Sequence, residues 1–173
     1  MSKVRTFSQV FPSYHPRKGE PTHFVEKIWK GLYPDDPDEA LFNHECSAIW
    51  SVYKEIYLDI TPKFHTIRAG HHFKPGDWFS PRVWSGKPYN SKQIIIAPDI
   101  QVKNVWDFDA EGTDFYLSGN HQFVGEGFDF SEVEKNDGLG PTELFDWICL
   151  TPDYKKSNIF SGQIICWNEN IEY

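Results

Sequence analysis

Read from the amino terminus, the apolar positions change their spacing twice, and each change marks a change of expected structure. Residues 4–10 are expected to form a first strand. Residues 11–21, rich in Pro, Gly and basic side chains, read as a loop. Phe24, Ile28, Trp29 and Leu32 then fall on one helical stripe, with Thr22 as the expected N-cap and Pro34 and Pro37 as stops. A second helix is expected at 38–57, burying Leu41, Phe42, Ile49, Trp50, Tyr53 and Tyr57.

After Pro62 the period shortens. Residues 64–68 and 78–84 read as strands around a turn at 71–76, and 85–91, broken by Gly86 and Pro88, as a loop. Strands are expected at 93–97 and 100–106, joined at Pro98 and Asp99, with weaker strand material at 115–117 and 122–124. Short helices are expected at 130–136 and 142–150, and a closing strand at 160–167. Several short strands with peripheral helices, and no alternating strand–helix rhythm, predict an α+β fold. Its centre would be a small mixed β-barrel or curled sheet.

Composition narrows this further. A chain of 173 residues with 39% hydrophobic and 24% charged residues fits one globular domain with its own core. No repeat or linker divides it. The aromatics (14 Phe, 8 Tyr, 7 Trp) exceed what a core of this size demands and leave material for a stacking surface. Cys46, Cys149 and Cys166 are widely spaced and odd in number, which argues for a reducing, cytoplasmic setting. The opening residues carry no apolar run after their basic positions, so secretion is not expected. No apolar stretch is long enough to predict a membrane span.

The net charge of −8 disfavours general coating of a nucleic-acid backbone. It leaves room for a local basic cleft, because Lys63, Arg68, Lys74, Arg82, Lys87 and Lys92 cluster while 35–45 and 126–137 are acidic.

The densest chemistry lies at 63–77, KFHTIRAGHHFKPGD. Lys63 and Arg68 offer cationic donors for a phosphate, a carboxylate or a developing oxyanion, and Thr66 a small hydroxyl. In an unbroken strand Lys63 and Thr66 would point to opposite faces, so they can share a site only if the chain bends. Lys74, Pro75, Gly76 and Asp77 also make an ordinary turn into a strand. A structural turn with scattered surface charge therefore stays open beside the functional reading.

This stretch resembles the signature of ASCH domains, small PUA-like β-barrel modules associated with RNA and nucleotide recognition. Lys63, Thr66 and Arg68, followed by Phe73, Lys74, Gly76 and Asp77, match in type and spacing the short bacterial members that hydrolyse N4-acetylcytidine. The match to that family's catalytic Glu falls on Asp137, ahead of Glu143 and Leu144, with an arm one methylene shorter. Glu134 and Glu143 are alternative carboxylates. More loosely, the segments at 82–89, 136–139 and 160–167 resemble uncharacterised ASCH-like proteins of bacteria and their phages. Residues from about 30 to 61 read as a helical insertion into the minimal module.

The resemblance implies binding of RNA or a modified nucleoside or nucleotide in an ASCH-type cleft. Arg68, His65, Arg82, Trp84, Lys87 and Tyr89 are the expected ligand contacts, Trp84 and Tyr89 by stacking and Arg82 or Lys87 through phosphate. Its alternative is an amidohydrolase acting on an N-acylated nucleoside. There Lys63 would be the general base activating Thr66 or a water, Asp137 the carboxylate that orients or relays protons, and Arg68 the charge stabiliser. A third class, a protein-interaction or inhibitor module, would use an exposed apolar face at 38–57. A monomer or small homo-oligomer is expected, with no cofactor. No metal site is expected either, since His15, His23, His44, Cys46, His71 and His72 lack ligand spacing.

Overall fold

The computed structural model describes residues 2–33, 60–119, 122–124 and 130–173. The expected helix at 38–57 and nearly all of the insertion lie outside the described residues.

The strands form two sheets. In the first, β1 (Lys3–Thr6) runs parallel to β3 (Trp78–Trp84), and β3 pairs antiparallel with β4 (Gln93–Ile95) and β5 (Ile100–Gln101). The second has the order β2-β9-β6-β7-β8 and is antiparallel throughout. Its members are β2 (His65–Ala69), β6 (Asn104–Glu111), β7 (Asp114–Gly119), β8 (Gln122–Val124) and β9 (Ile159–Cys166). Among the described residues four helices accompany them: α1 (Phe24–Leu32), α2 (Ser131–Asn136), α3 (Glu143–Cys149) and α4 (Pro152–Ser157). The fold is α+β with mixed sheets, and the described strands close no barrel.

Strand alternation accounts for the main layer. In β6, Trp106, Phe108 and Ala110 are buried while Asp107 and Glu111 face solvent, the pattern of a strand with one covered face. β9 sits between β2 and β6, and its end, Ile164, Ile165 and Cys166, is buried on both faces. The core joins these residues to Phe79 and Val83 of the first sheet and to Ile28, Val133, Leu144 and Ile148 of the helices.

Two expectations are corrected, and one helix was not expected. The strand at 100–106 is two strands, because Val102 and Lys103 carry the chain from one sheet to the other. Val102 N–H donates to Asp77 O at 2.8 Å, and Lys103 N–H to Cys166 O at 2.8 Å. Thr22 is not the N-cap of α1. His23 holds that position at φ 55°, and the Thr22 hydroxyl donates to Ser8 O at 2.6 Å. Finally, residues 152–157 form a helix that apolar periodicity does not reveal. Thr151 caps it by accepting from Tyr154 N–H at 3.2 Å, with Pro152 in its first turn.

Candidate functional site

Lys63 is 1% exposed, an uncommon fate for a lysine without a dedicated partner. Its backbone explains the placement. β2 begins only at His65, and Lys63 and Phe64 form a bridge to two other elements instead of extending the strand. Lys63 N–H donates to Lys27 O of α1 at 2.9 Å, and Phe64 N–H to Asn136 O at the end of α2 at 2.8 Å. The approach to α1 is close enough to require Gly31, where a Cβ would lie 2.0 Å from Lys63 O.

At the end of α2 the chain turns through Gly138 at φ 72°, a left-handed position that suits glycine. The turn presents its own carbonyls to two lysines. Lys63 Nζ donates to Asp137 O at 2.5 Å, and Lys27 Nζ to Gly138 O at 2.5 Å. The Lys63 ammonium also lies 2.8 Å from Asp137 Oδ1 and 4.4 Å from the centroid of the Phe24 ring, a cation–π contact. On its other side, Asp137 Oδ1 is 3.3 Å from His65 Nδ1. His65 Nε2 is in turn 2.8 Å from the Tyr173 hydroxyl, which accepts from Asn136 Nδ2 at 2.9 Å.

Burial dominates the titration of this cluster. It lowers Lys63 from 10.5 to about 8 against the attraction of Asp137, with Arg68 and Lys27 lowering it further. Burial also lowers His65, so the imidazole is neutral near pH 7. For Asp137 burial acts upward, but the charges and hydrogen bonds of Lys63 and His65 outweigh it and hold the carboxyl below its ordinary value. The resting pair at neutral pH is therefore a lysine ammonium on a carboxylate, with the lysine within reach of deprotonation.

These groups open onto a cavity of about 350 Å³ lined by Lys63, Thr66, Arg68 and Asp137. Its walls include Phe24, Tyr14, Trp147 and Tyr154. That volume sits at the lower end of the roughly 300–1,000 Å³ of small-ligand pockets. Lys63 and Thr66 reach the same space because Lys63 precedes the strand, which supplies the bend their sharing requires. Arg68 is half-buried; its Nη2 donates to Thr6 O at 2.8 Å and its guanidinium lies 5.1 Å from the Phe7 centroid. Burial lowers it to about 10.

The remaining candidates separate from this centre. His65 is fully buried between Asp137 and Tyr173 and does not line the cavity, which places it behind the carboxylate and not against a ligand. Trp84 and Tyr89 line a second cavity, with their ring centroids 5.4 Å apart. Arg82 lies beside it, 3.4 Å from Gln93 Oε1. Lys87 lies on the exposed loop and lines neither cavity.

Glu134 and Glu143 are occupied elsewhere. Glu134 accepts from Thr142 and Leu144 N–H, and Glu143 pairs with Arg17 at 2.5 Å and accepts from Gly140 N–H. Lys74 to Asp77 is scaffold: Asp77 accepts from Lys74 N–H at 3.1 Å and pairs with Lys3 at 2.6 Å. Among the described residues no group of His, Cys, Asp or Glu side chains is arranged to hold a metal.

Residue spacing missed Phe24 as a partner of Lys63, and it missed Asn136 and Tyr173 behind the carboxylate. Phe24 stood on the apolar stripe of α1 with nothing to separate it from plain core. No family model, no curated protein and no solved structure matches the chain.

Proposed function

We propose that the cavity is the active site of an amidohydrolase acting on an N-acylated nucleoside, in a module of the PUA-like ASCH type. The observation that supports this reading is the 2.8 Å contact of Lys63 Nζ with Asp137 Oδ1 at the wall of a cavity also lined by Thr66 and Arg68. Burial lowers Lys63 to about 8, which brings its neutral form nearer to neutral pH, as a general base requires.

In the forward step Lys63 takes a proton from water or from the Thr66 hydroxyl, whose oxygen attacks the acyl carbon. Arg68 offers N–H donors to the oxyanion that forms. Collapse breaks the acyl C–N bond, and the Lys63 ammonium returns the proton to the departing nitrogen. If Thr66 is the nucleophile, a water hydrolyses the acyl-threonine in a second round. The products are the deacylated nucleoside, with its exocyclic amine restored, and the carboxylic acid. Asp137 keeps Lys63 Nζ at the cavity wall and stabilises the ammonium between the two transfers.

A second reading, nucleoside or RNA binding without turnover, is favoured by one feature. Lys63 Nζ is held by both the side chain and the carbonyl of Asp137, a double hold that a purely structural ion pair would also show. Turnover separates the two. Wild-type protein is expected to release acetate from N4-acetylcytidine, and Lys63→Ala to lose at least about a hundredfold in kcat/KM. A wild-type protein inert against acylated nucleosides, or a fully active Lys63→Ala protein, overturns the hydrolase.

A further inference from the structure

On the far side of Arg68 lies the second cavity, also of about 350 Å³, which shares Arg68 and Ala69 with the first. Its lining takes Arg5 and Thr6 from β1, together with His72, Trp84, Tyr89 and Gln93. Its lining contains two arginines and no carboxylate. In a chain of net charge −8, that is a marked local excess of positive charge.

Among the described residues neither arginine of the cleft has a carboxylate in direct contact, although the Asp137 charge acts on Arg68 from the first cavity. Among the described residues no carboxylate lies within 4.0 Å of Arg5, Arg68 or the neighbouring Arg82, while other basic residues, Lys3, Arg17, Lys63 and Lys103, have such partners. Arg5 Nη1 donates to Val4 O at 2.8 Å and Arg68 Nη2 to Thr6 O at 2.8 Å. The Nε of each guanidinium is buried with no hydrogen-bond partner. A buried N–H left without an acceptor costs free energy. Here a pair of them borders one cleft. The Arg5 guanidinium is also braced 4.4 Å from the centroid of Phe73, so its fork is held in place before a ligand arrives.

The cleft carries a further cost at its mouth. Tyr89 is 88% exposed and sits at φ 64°, a backbone region that a bulky side chain occupies rarely and under strain. That conformation leaves its ring beside Trp84 at the cavity edge.

We infer that this cleft is an anion subsite, built by Arg5 and Arg68, for the phosphate of a nucleotide whose base occupies the Lys63–Asp137 cavity. The inference rests on the nucleoside-directed reading above and extends it: the ligand is a nucleotide, and Arg68 stands where base and phosphate meet. Two guanidinium groups at a cleft lined by no acid suit a phosphate dianion, to which each can present a charged N–H donor not already engaged by a backbone carbonyl. A neutral nucleoside leaves the same donors unpaired.

The test is titration of wild-type protein with N4-acetylcytidine, its 5′-monophosphate and inorganic phosphate, followed by Trp fluorescence or calorimetry. The monophosphate is expected to bind at least about tenfold more tightly than the nucleoside, and inorganic phosphate to compete with it while binding more weakly. Arg5→Gln is expected to bring the two affinities within about threefold while leaving that for the nucleoside unchanged. Equal binding of nucleoside and monophosphate by wild type overturns the subsite, and needs no variant to fold. So does an unchanged ratio in a folded Arg5→Gln protein. Inorganic phosphate binding as tightly as the monophosphate reduces the cleft to a free-anion site and overturns the nucleotide.

Failure here and failure of the hydrolase are distinguishable. A protein that turns nothing over yet holds the monophosphate through Arg5 keeps the subsite. One that cleaves both forms with equal kcat/KM keeps the hydrolase and loses the subsite.

Discussion

Lys63 and Asp137 are 74 positions apart in the chain, yet Lys63 Nζ meets both the carboxylate of Asp137, at 2.8 Å, and its carbonyl, at 2.5 Å. The pair joins the bridge before β2 to the turn after α2, so it is at once a structural clasp and a candidate proton-transfer unit. Those two roles predict different behaviour when either partner is removed.

Lys63→Met leaves a buried carboxylate without its cation. A loss of about 3–5 kcal/mol in unfolding free energy is expected, together with loss of the proposed hydrolysis. Lys63→Met combined with Asp137→Leu removes both charges and should recover much of that stability while staying inactive. Urea denaturation of the single and double variants, beside turnover, measures this. If the double variant is no more stable than Lys63→Met, the ion pair is not what the single substitution breaks.

The parts of this arrangement differ in how far residue patterns reveal them, for physical reasons. The stripe of α1 and the strand Trp78–Trp84 are legible because local periodicity reflects burial on one face. Lys63, Thr66 and Arg68 stand out by type and spacing. Their sharing of a cavity is not legible, since it depends on where β2 begins, and that is decided by the backbone bonds of residues 63 and 64 to α1 and α2. Tyr173 shows the same limit. Its aromatic character marks it as apolar filler, but its hydroxyl acts through residues 37 and 108 positions away. Arg5 lies in β1 with no motif around it, and only the sheet pairing brings it to the cleft beside Trp84 and Tyr89.

The depressed Lys63 value sets a pH dependence with a definite sign. The folded protein releases this proton near pH 8, while the unfolded chain retains it to about 10.5. Across that window the unfolded state binds more protons, so this lysine's contribution to stability rises with pH. Asp137 and His65 act at the acid end. Both have lowered values when folded, so their contributions are complete above the ordinary values of 3.8 and 6.5 and are lost as pH falls through the folded ones. The expected outcome is that wild type gains stability relative to Lys63→Met between pH 8 and 10. In the hydrolase reading, kcat/KM also climbs through an apparent pKa near 8. A flat difference between the two proteins over that window contradicts the assignment.

Gly31 gives a prediction whose sign helix propensity alone gets wrong. Ala in place of Gly inside a helix ordinarily stabilises by about 1 kcal/mol. At this position the added methyl would lie 2.0 Å from Lys63 O and 2.9 Å from its carbonyl carbon, and backbone cannot move aside cheaply. Gly31→Ala should lower stability by roughly 1–3 kcal/mol and displace Lys63 enough to reduce turnover. Gly86→Ala, which meets only Ser91 Cβ at 3.5 Å and Oγ at 3.8 Å, is the control expected within about 0.5 kcal/mol of wild type. Thermal denaturation of both proteins decides it. An unshifted or raised Tm for Gly31→Ala would mean that α1 does not press on the lysine.

Tyr173→Phe isolates the layer behind the carboxylate. Its hydroxyl lies between His65 Nε2 at 2.8 Å and Asn136 Nδ2 at 2.9 Å, and its ring packs against Trp106 at 4.9 Å between centroids. Phenylalanine keeps the ring and strands two buried polar atoms, which should cost about 1–3 kcal/mol. The effect on chemistry is indirect. His65 loses the partner on the nitrogen opposite Asp137, so the ring is freer to turn and Asp137 holds Lys63 less firmly. Turnover is therefore expected to fall mainly in kcat, with KM little changed, because no residue touching the ligand has been altered. Urea denaturation and steady-state kinetics on the one variant read both effects. Lost stability with wild-type kcat would confine the Tyr173–His65 contact to the fold. Lost kcat at preserved stability would place it in service of Asp137.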